Sequence, residues 1–239
     1  MLGALFLGGT IKETFVVDQK FWEIFPEAKI FTLVVNGIDN HIPSDVSSYQ
    51  QILNQAEEKA QVYLTEPDFK DNPVIAQWRE AFSQFKKKKG ARASIEALLK
   101  RVAQGRTFTP INPLVDLYNS VSLEYGVPCG GEDLAKIAGT MHLGLASGNE
   151  EFYPIGATKN EPPRTDEIIY YDQTGAVCCS LNWRDGERTM LTEDTTSAIL
   201  IMEAVNEEQK DRTNTAINAL QDKIATKLGV KGTIQEFTK

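Results

Sequence analysis

Apolar positions follow a helical period in the first half of this chain and an alternating or continuous pattern in the second. Thr14 to Val17 reads as a short strand, and a helix then opens near Asp18 and stops at Pro26. Residues 29–38 are rich in Ile, Val and Phe and end on Asn36-Gly37, a strand with its turn. Ile52, Leu53, Ala56, Ala60, Tyr63 and Leu64 fall at i, i+3/i+4 spacing and predict a helix over 45–64. Pro73 opens another, with Ile75, Trp78, Phe82 and Phe85 on one side. Ile95, Leu98, Leu99 and Val102 mark a third, capped by Ser94 or a neighbour and stopped at Gly105. Asn112 as N-cap and Pro113 at the first position then open a helix that buries Leu114, Leu117, Tyr118 and Val121. It ends at Gly126-Val127-Pro128.

From there the period shortens. Residues 140–146, 151–155, 167–172 and 176–183 are short, β-rich and separated by Gly, Pro and Asn, and Asp172 to Gly175 joins the last two as a hairpin. Residues 197–205 are apolar enough for a buried strand. Ile217, Leu220, Ile224 and Leu228 line one stripe of a closing helix over 212–228. Helices first and strands later imply an α+β fold, a helical N-terminal half packed with an antiparallel or mixed sheet. No repeat and no long Pro/Ser/Gly linker divides the chain. A single compact unit over 14–239 is expected, with 156–167 as its mobile surface segment.

Composition alters this picture in two places. The net charge of −8 excludes a general nucleic-acid glue, yet eight basic residues and one acid lie between Lys86 and Arg106. That stretch is +7 and the remainder −15, so either a polyanion is steered to one stripe or a solvated face simply carries the charge. Three cysteines are too few and too oddly placed for a disulfide framework. Cys178 and Cys179 would point to opposite faces of a strand, and reduced thiols imply the cytoplasm. Two histidines, His41 and His142, without C-x-x-C or H-x-x-x-H spacing, disfavour a metal site. The start, 1–13, is briefly apolar but lacks a charged leader, so a frayed or appended start is expected there rather than a signal peptide. No apolar run is long enough to cross a membrane as a helix.

The stretch 111–134, INPLVDLYNSVSLEYGVPCGGEDL, is the best candidate to build a site. Neither Gly8-Gly9 nor Gly130-Gly131 has the spacing of a phosphate cradle, and no cofactor is implied. A Cys129/His142 nucleophile pair is conceivable, though nothing in the sequence orients one toward the other. Gly130 and Gly131 let a backbone approach a ligand and aim N–H groups at a developing oxyanion, with Glu132 and Asp133 beside them to hold a substrate amino group or a water. The plainer alternative is a helix-ending turn with Asp133 as the next N-cap. Asn119, if buried, braces the loop or contacts a ligand. Asn182, Trp183 and Arg184 are rigid anchors at a strand end, or ordinary surface packing. Thr195 contacts a ligand or caps the segment after Thr192.

These motifs in order, INPLVDLYNSVSLEYGVPCGGEDLAKIAG with 167–172, 176–184 and 192–203, resemble the B3/B4 domain of the phenylalanyl-tRNA synthetase β chain. FVVDQKFWEIFP, WREAF, SIEALLKRV and LNWRDGERT resemble the free-standing B3/B4-domain proteins of bacteria, with a B3/B4-like core over 106–206. In the synthetase this domain hydrolyses tyrosine wrongly attached to the phenylalanine tRNA. The resemblance therefore implies a trans-editing factor that deacylates a mischarged tRNA, with tRNA as partner and no membrane or obligate protein partner. It implies Asn119 and Asp133 as catalytic residues and Gly130, Gly131, Glu132, Asn182, Trp183, Arg184 and Thr195 as substrate contacts. Lys86, Lys87, Lys88, Lys89 and Arg92 become contacts to the tRNA backbone.

The departures from the family's pattern are specific. Its pocket histidine, in a Pro-x-His-Ala-Phe-Asp motif, falls on Gly130, while the motif's Asp falls on Asp133. Its hydroxyl-reading glutamate falls near Ile201, with Glu203 two residues further, and its glycine-rich turn is replaced around Asn182 to Asp185. Loss of the hydroxyl-reading groups points to an amino acid other than tyrosine. The alternative is a non-catalytic module that binds tRNA, another RNA or an amino-acid-like ligand on the same fold.

Overall fold

The computed structural model describes residues 14–239; the expected frayed start and Gly8-Gly9 lie outside the described residues. In chain order the elements are β1 (Phe15–Val17), α1 (Gln19–Ile24), β2 (Lys29–Asn36), α2 (Ser47–Ala60), α3 (Pro73–Ala81), α4 (Ser94–Ala103) and α5 (Pro113–Tyr125). There follow β3 (Gly130–Asp133), β4 (Met141–Leu145), β5 (Ile168–Tyr171), β6 (Ala176–Cys179), β7 (Arg184–Asp185), β8 (Ser197–Ala204), α6 (Glu207–Leu228) and β9 (Thr233–Phe237). The fold is α+β, with two sheets ordered β1-β4-β5-β6-β7 and β3-β8-β2-β9. Among the described strands only β1 and β4 pair in parallel, besides an isolated parallel bridge between Lys86 and Glu167.

The second sheet is apolar on both faces because each packs against other elements. Along β8, Ile199 and Ile201 enter a core shared with α1, α3, α4 and the first sheet. Ala198, Leu200 and Met202, pointing the other way, enter a core with α5 and α6. That two-sided burial is why residues 197–205 read as a continuous apolar run. Each such fully buried Leu or Ile contributes about 1.5–3 kcal/mol, which fixes the register against a one-residue slip.

The helix signals act as expected at α5. The Asn112 side chain accepts from Val115 N at 3.0 Å, and Gly126 closes the helix at φ +61°. The ring of Tyr63 lies 3.0 Å from where a Cβ on Gly126 would stand, so glycine also makes room for that aromatic.

Several boundaries move, each for a local reason. The strand expected over 151–155 is only a bridge between Pro154 and Gly186, because Pro154 has no N–H to extend a ladder. β6 stops at Cys179 rather than Trp183, since Ser180 and Leu181 turn into left-handed backbone at φ 51° and 62°. α6 begins five residues before the expected start at 212, at a cap where Asn206 accepts from Gln209 N. α3 ends at Ala81, leaving Phe82 and Phe85 beyond it but still buried. The segment 156–167 is tied down by Lys88 and Arg184 on Glu161, and Glu167 is fully buried against Ser180. Among the described residues no helix is long and apolar enough to cross a membrane.

Candidate functional site

A small cavity of about 60 Å³ lies where the two sheets face each other. The second sheet contributes Gly130, Gly131 and Glu132 from β3, preceded by Cys129, and Ile201 and Glu203 from β8. The first sheet contributes Tyr170, Cys178 and Asp185, and the left-handed turn after β6 adds Leu181, Asn182 and Trp183. Ser94, at the start of α4, completes the wall. Two consecutive non-glycine residues at positive φ are costly, about 1–3 kcal/mol each, and here they swing Asn182 and Trp183 from the strand into the cavity.

Gly130 and Gly131 play different parts. A Cβ at Gly131 would stand 2.7 Å from Leu200 and 3.0 Å from Leu191, so that position admits only glycine without displacing the core. A Cβ at Gly130 meets nothing within 4 Å. Position 130 is therefore open on the cavity side. The oxyanion reading of this pair does not stand. Both glycines sit in a strand opposite Ile201 and Leu200, and successive N–H groups of a strand point to opposite sides.

The polar lining is acidic. Glu203 is buried, accepts from the Tyr170 hydroxyl at 2.6 Å and from Asn182 Nδ2 at 3.0 Å, and is still pushed up to about 7 by burial. Asn182 is held in place because its Oδ1 accepts from Ser94 N at 3.2 Å, serving the unsatisfied N-terminus of α4. Glu132 is buried too. Its Oε2 has no hydrogen-bond partner, and burial with the Asp185 charge nearby raises its pKa far above the ordinary carboxyl range. The Thr189 hydroxyl beside it lowers that value. Burial also raises Asp185. Among the described residues no Lys, Arg or His lines the cavity.

A larger, apolar cleft of about 330 Å³ adjoins it and shares Gly131 and Asp185 as a common wall. Ile111, Val115, Tyr118, Ile155, Met190 and Leu191 give it its character, and Ile111 and Ile155 are exposed at its rim. The stretch 111–134 thus supplies residues to both chambers.

Other expected residues lie elsewhere. Asn119 is half-buried on α5 and lines neither chamber. Asp133 caps the short 3-10 turn Leu134–Lys136 by accepting from Ala135 N, and takes the Thr195 hydroxyl at 2.9 Å; both are outside the cavity. Arg184 turns to Glu161 and its guanidinium lies over the Trp183 ring. Cys129 does reach the cavity, but burial raises its thiol and disfavours the thiolate, while His142 pairs with Asp18 and stacks on Tyr171. Cys178 and Cys179 do face different cores.

Among the basic residues, Lys86 pairs with Asp166 and Lys88 with Glu161. Lys87 and Arg92, with Arg79, surround a notch of about 280 Å³ floored by Trp78 and Phe82, and Lys89 is exposed nearby. Arg92 stands two residues before Ser94, so this notch and the cavity flank the same helix start.

Tyr170, Asp185, Ser94 and Leu181 were not singled out from sequence as site residues, and Glu203 entered only as the acid two residues beyond Ile201. Glu203 had the clearest signal, an acid inside the apolar run 197–205, two residues from Ile201 and hence on the same face of β8.

Two sheets enclosing an acidic cavity beside an apolar cleft give an α+β domain with a two-chambered concave site between them. The chain matches the family described as B3/4 domain over residues 77–228, more than half its length, and belongs to that family. Its fold is similar to that of an N-terminal fragment of the phenylalanyl-tRNA synthetase β-subunit from Pyrococcus horikoshii, at TM-score 0.52 and 14% identity. The match covers 96% of this chain and 56% of that one, so the chain spans little more than half the length of its structural relative. None of the curated proteins matches it.

Proposed function

We propose that this protein hydrolyses the ester of a mischarged aminoacyl-tRNA in trans, acting on the acyl end held in the two-chambered cleft. The observation that carries this reading is Glu203. A buried carboxyl titrating near 7, oriented by Tyr170 and Asn182, has the properties of a general base for water at neutral pH. Hydrolysis then needs no protein nucleophile, in keeping with the raised thiol of Cys129. The name of the structural relative and the family membership support an aminoacyl-tRNA as substrate. Lys87, Lys89 and Arg92 are the basic residues best placed to meet the RNA backbone, which they would bind without reading sequence.

The test is a panel of tRNAs misacylated with different amino acids, followed for release of the amino acid at micromolar protein. Release from at least one, lost in Glu203→Gln, is the expected result; release from none rejects the reading. A second reading, a binding module without turnover, is favoured by Gly130 standing where the resembling family carries histidine and by a lining without histidine among the described residues. It predicts RNA binding with steep salt dependence and no deacylation.

A further inference from the structure

We infer that Asn36 is a site of spontaneous deamidation, and that the isoaspartate formed there loosens the clamp through which Asn40 holds two walls of the outer cleft. This is a covalent modification of the protein itself and stands apart from what the cleft binds.

Of the twelve asparagines in the chain, only Asn36 is followed by glycine. The main-chain nitrogen of Gly37 can attack the side-chain carbonyl carbon of Asn36 because no Cβ on Gly37 shields that nitrogen. The new N–C bond closes a five-membered succinimide, and the side-chain amide nitrogen leaves as ammonia. Water then reopens the ring. Opening at one carbonyl gives aspartate. Opening at the other gives isoaspartate, whose main chain runs through the former side chain and is one methylene longer. The change needs water and no other reactant.

The fold leaves this route open at Asn36. The residue is exposed at the end of β2, where the pairing with β8 ends at Ser197, and β9 has already parted from β2 after the Val34–Thr233 pair. Gly37 stands at φ +72°, with nothing within 4 Å of where its Cβ would be. The buried asparagines lack this freedom. Asn72 and Asn112 each precede a proline, whose nitrogen carries no hydrogen, and Asn40 and Asn182 have both ends of the amide engaged.

The residues around Asn36 have little room for a longer chain. Val35 and Ile38 are buried, and Ile38 N donates to Thr196 O at 3.1 Å. Asn40, fully buried, accepts from Leu114 N at 2.8 Å and donates to Thr192 O at 2.8 Å. Leu114 lies between Asn112 and Val115 at the start of α5, and Thr192 follows Met190 and Leu191. One side chain therefore ties together two segments that wall the outer cleft. An added methylene at position 36 is taken up between Val35 and Asn40, and a displaced Asn40 leaves the Leu114 N–H without its partner.

Ageing the full chain tests both halves. It is incubated at mildly alkaline pH beside the free peptide of residues 34–39, in which no fold restrains the reaction. Peptide mapping and isoaspartate-specific methylation are expected to find the modification at Asn36 before any other asparagine. Asn36→Gln, whose longer side chain closes its ring far more slowly, should show none at that position. An Asn36 still intact when the free peptide is mostly converted overturns the site. In the isoaspartate form, hydrogen exchange of the Leu114 amide is expected to speed up about tenfold or more, the scale of one lost hydrogen bond. Freshly prepared Asn36→Asp, which carries the product's charge on an ordinary main chain, should leave that exchange unchanged. Unchanged exchange in the isoaspartate form, or equal acceleration in Asn36→Asp, overturns the clamp.

Discussion

At the scale of single residues the protein stores its unusual chemistry in buried acids. Glu203 sits at about 7 and Asp116 at about 6, both raised by burial above ordinary values of 4.5 and 3.8. Their folded pKa values lie above the unfolded ones, so the folded chain holds the proton longer. The stability they contribute is complete below the unfolded pKa and is lost as pH rises through the folded one. Their share of the unfolding free energy is therefore expected to fall between about pH 4 and 7, with Glu203 supplying roughly 3 kcal/mol of that change. Urea titrations at several pH values check this, and Glu203→Gln should flatten the slope; an unchanged slope places the proton elsewhere. Gly130→Leu makes the complementary prediction. Its Cβ meets open space and its backbone is unstrained, but its four carbons overfill a cavity of about 60 Å³. A folded variant destabilised by about 1–3 kcal/mol, with loss of ligand binding, is the expected pair of results.

Elements are where sequence and structure agree best and where their differences have identifiable causes. The hairpin between β5 and β6 rests on Asp172, whose side chain accepts from Ala138, Thr174 and Gly175 N–H groups and is clasped by both Arg188 nitrogens. Asp172→Ala strands those donors and should cost about 3 kcal/mol by thermal or urea unfolding, whereas a loss below 1 kcal/mol would mean water replaces them. That hairpin and the capped α5 were legible because their signals are local: Asn112-Pro113, Gly126, and an Asp-x-x-Gly turn. β3 was hidden because Gly130-Gly131 weakens any strand pattern, and its pairing with β8 comes from distant residues. β9 was hidden for the opposite reason. It is short, largely exposed, and held by β2, with Phe237 edge-on to Phe15 at 5.0 Å. Removing 231–239 exposes the β2 edge; a loss of about 2 kcal/mol and faster aggregation by light scattering are expected.

For the whole molecule, the site was legible in parts and its assembly was not. Gly130, Gly131, Glu132, Asn182 and Trp183 converge on one cavity, but Glu203, Asp185 and Tyr170 reach it only because two sheets close over each other. Asn119 and Asp133 lie in the same telling stretch yet face other neighbours, a distinction that spacing along the chain does not encode. The charge separation belongs to this scale too. Reversing Lys87, Lys89 and Arg92 to Glu should weaken tRNA binding and lower the slope of log affinity against log salt by about 2–3. Unchanged binding would make the stripe a solvated face.

The most direct measurement is release of amino acid from a panel of misacylated tRNAs by wild type, Gly130→Leu and Asn119→Ala. Turnover of at least one tRNA bearing an apolar amino acid is expected, reduced about tenfold or more in Gly130→Leu and little changed in Asn119→Ala. Turnover of none, or turnover indifferent to a filled cavity, contradicts the account.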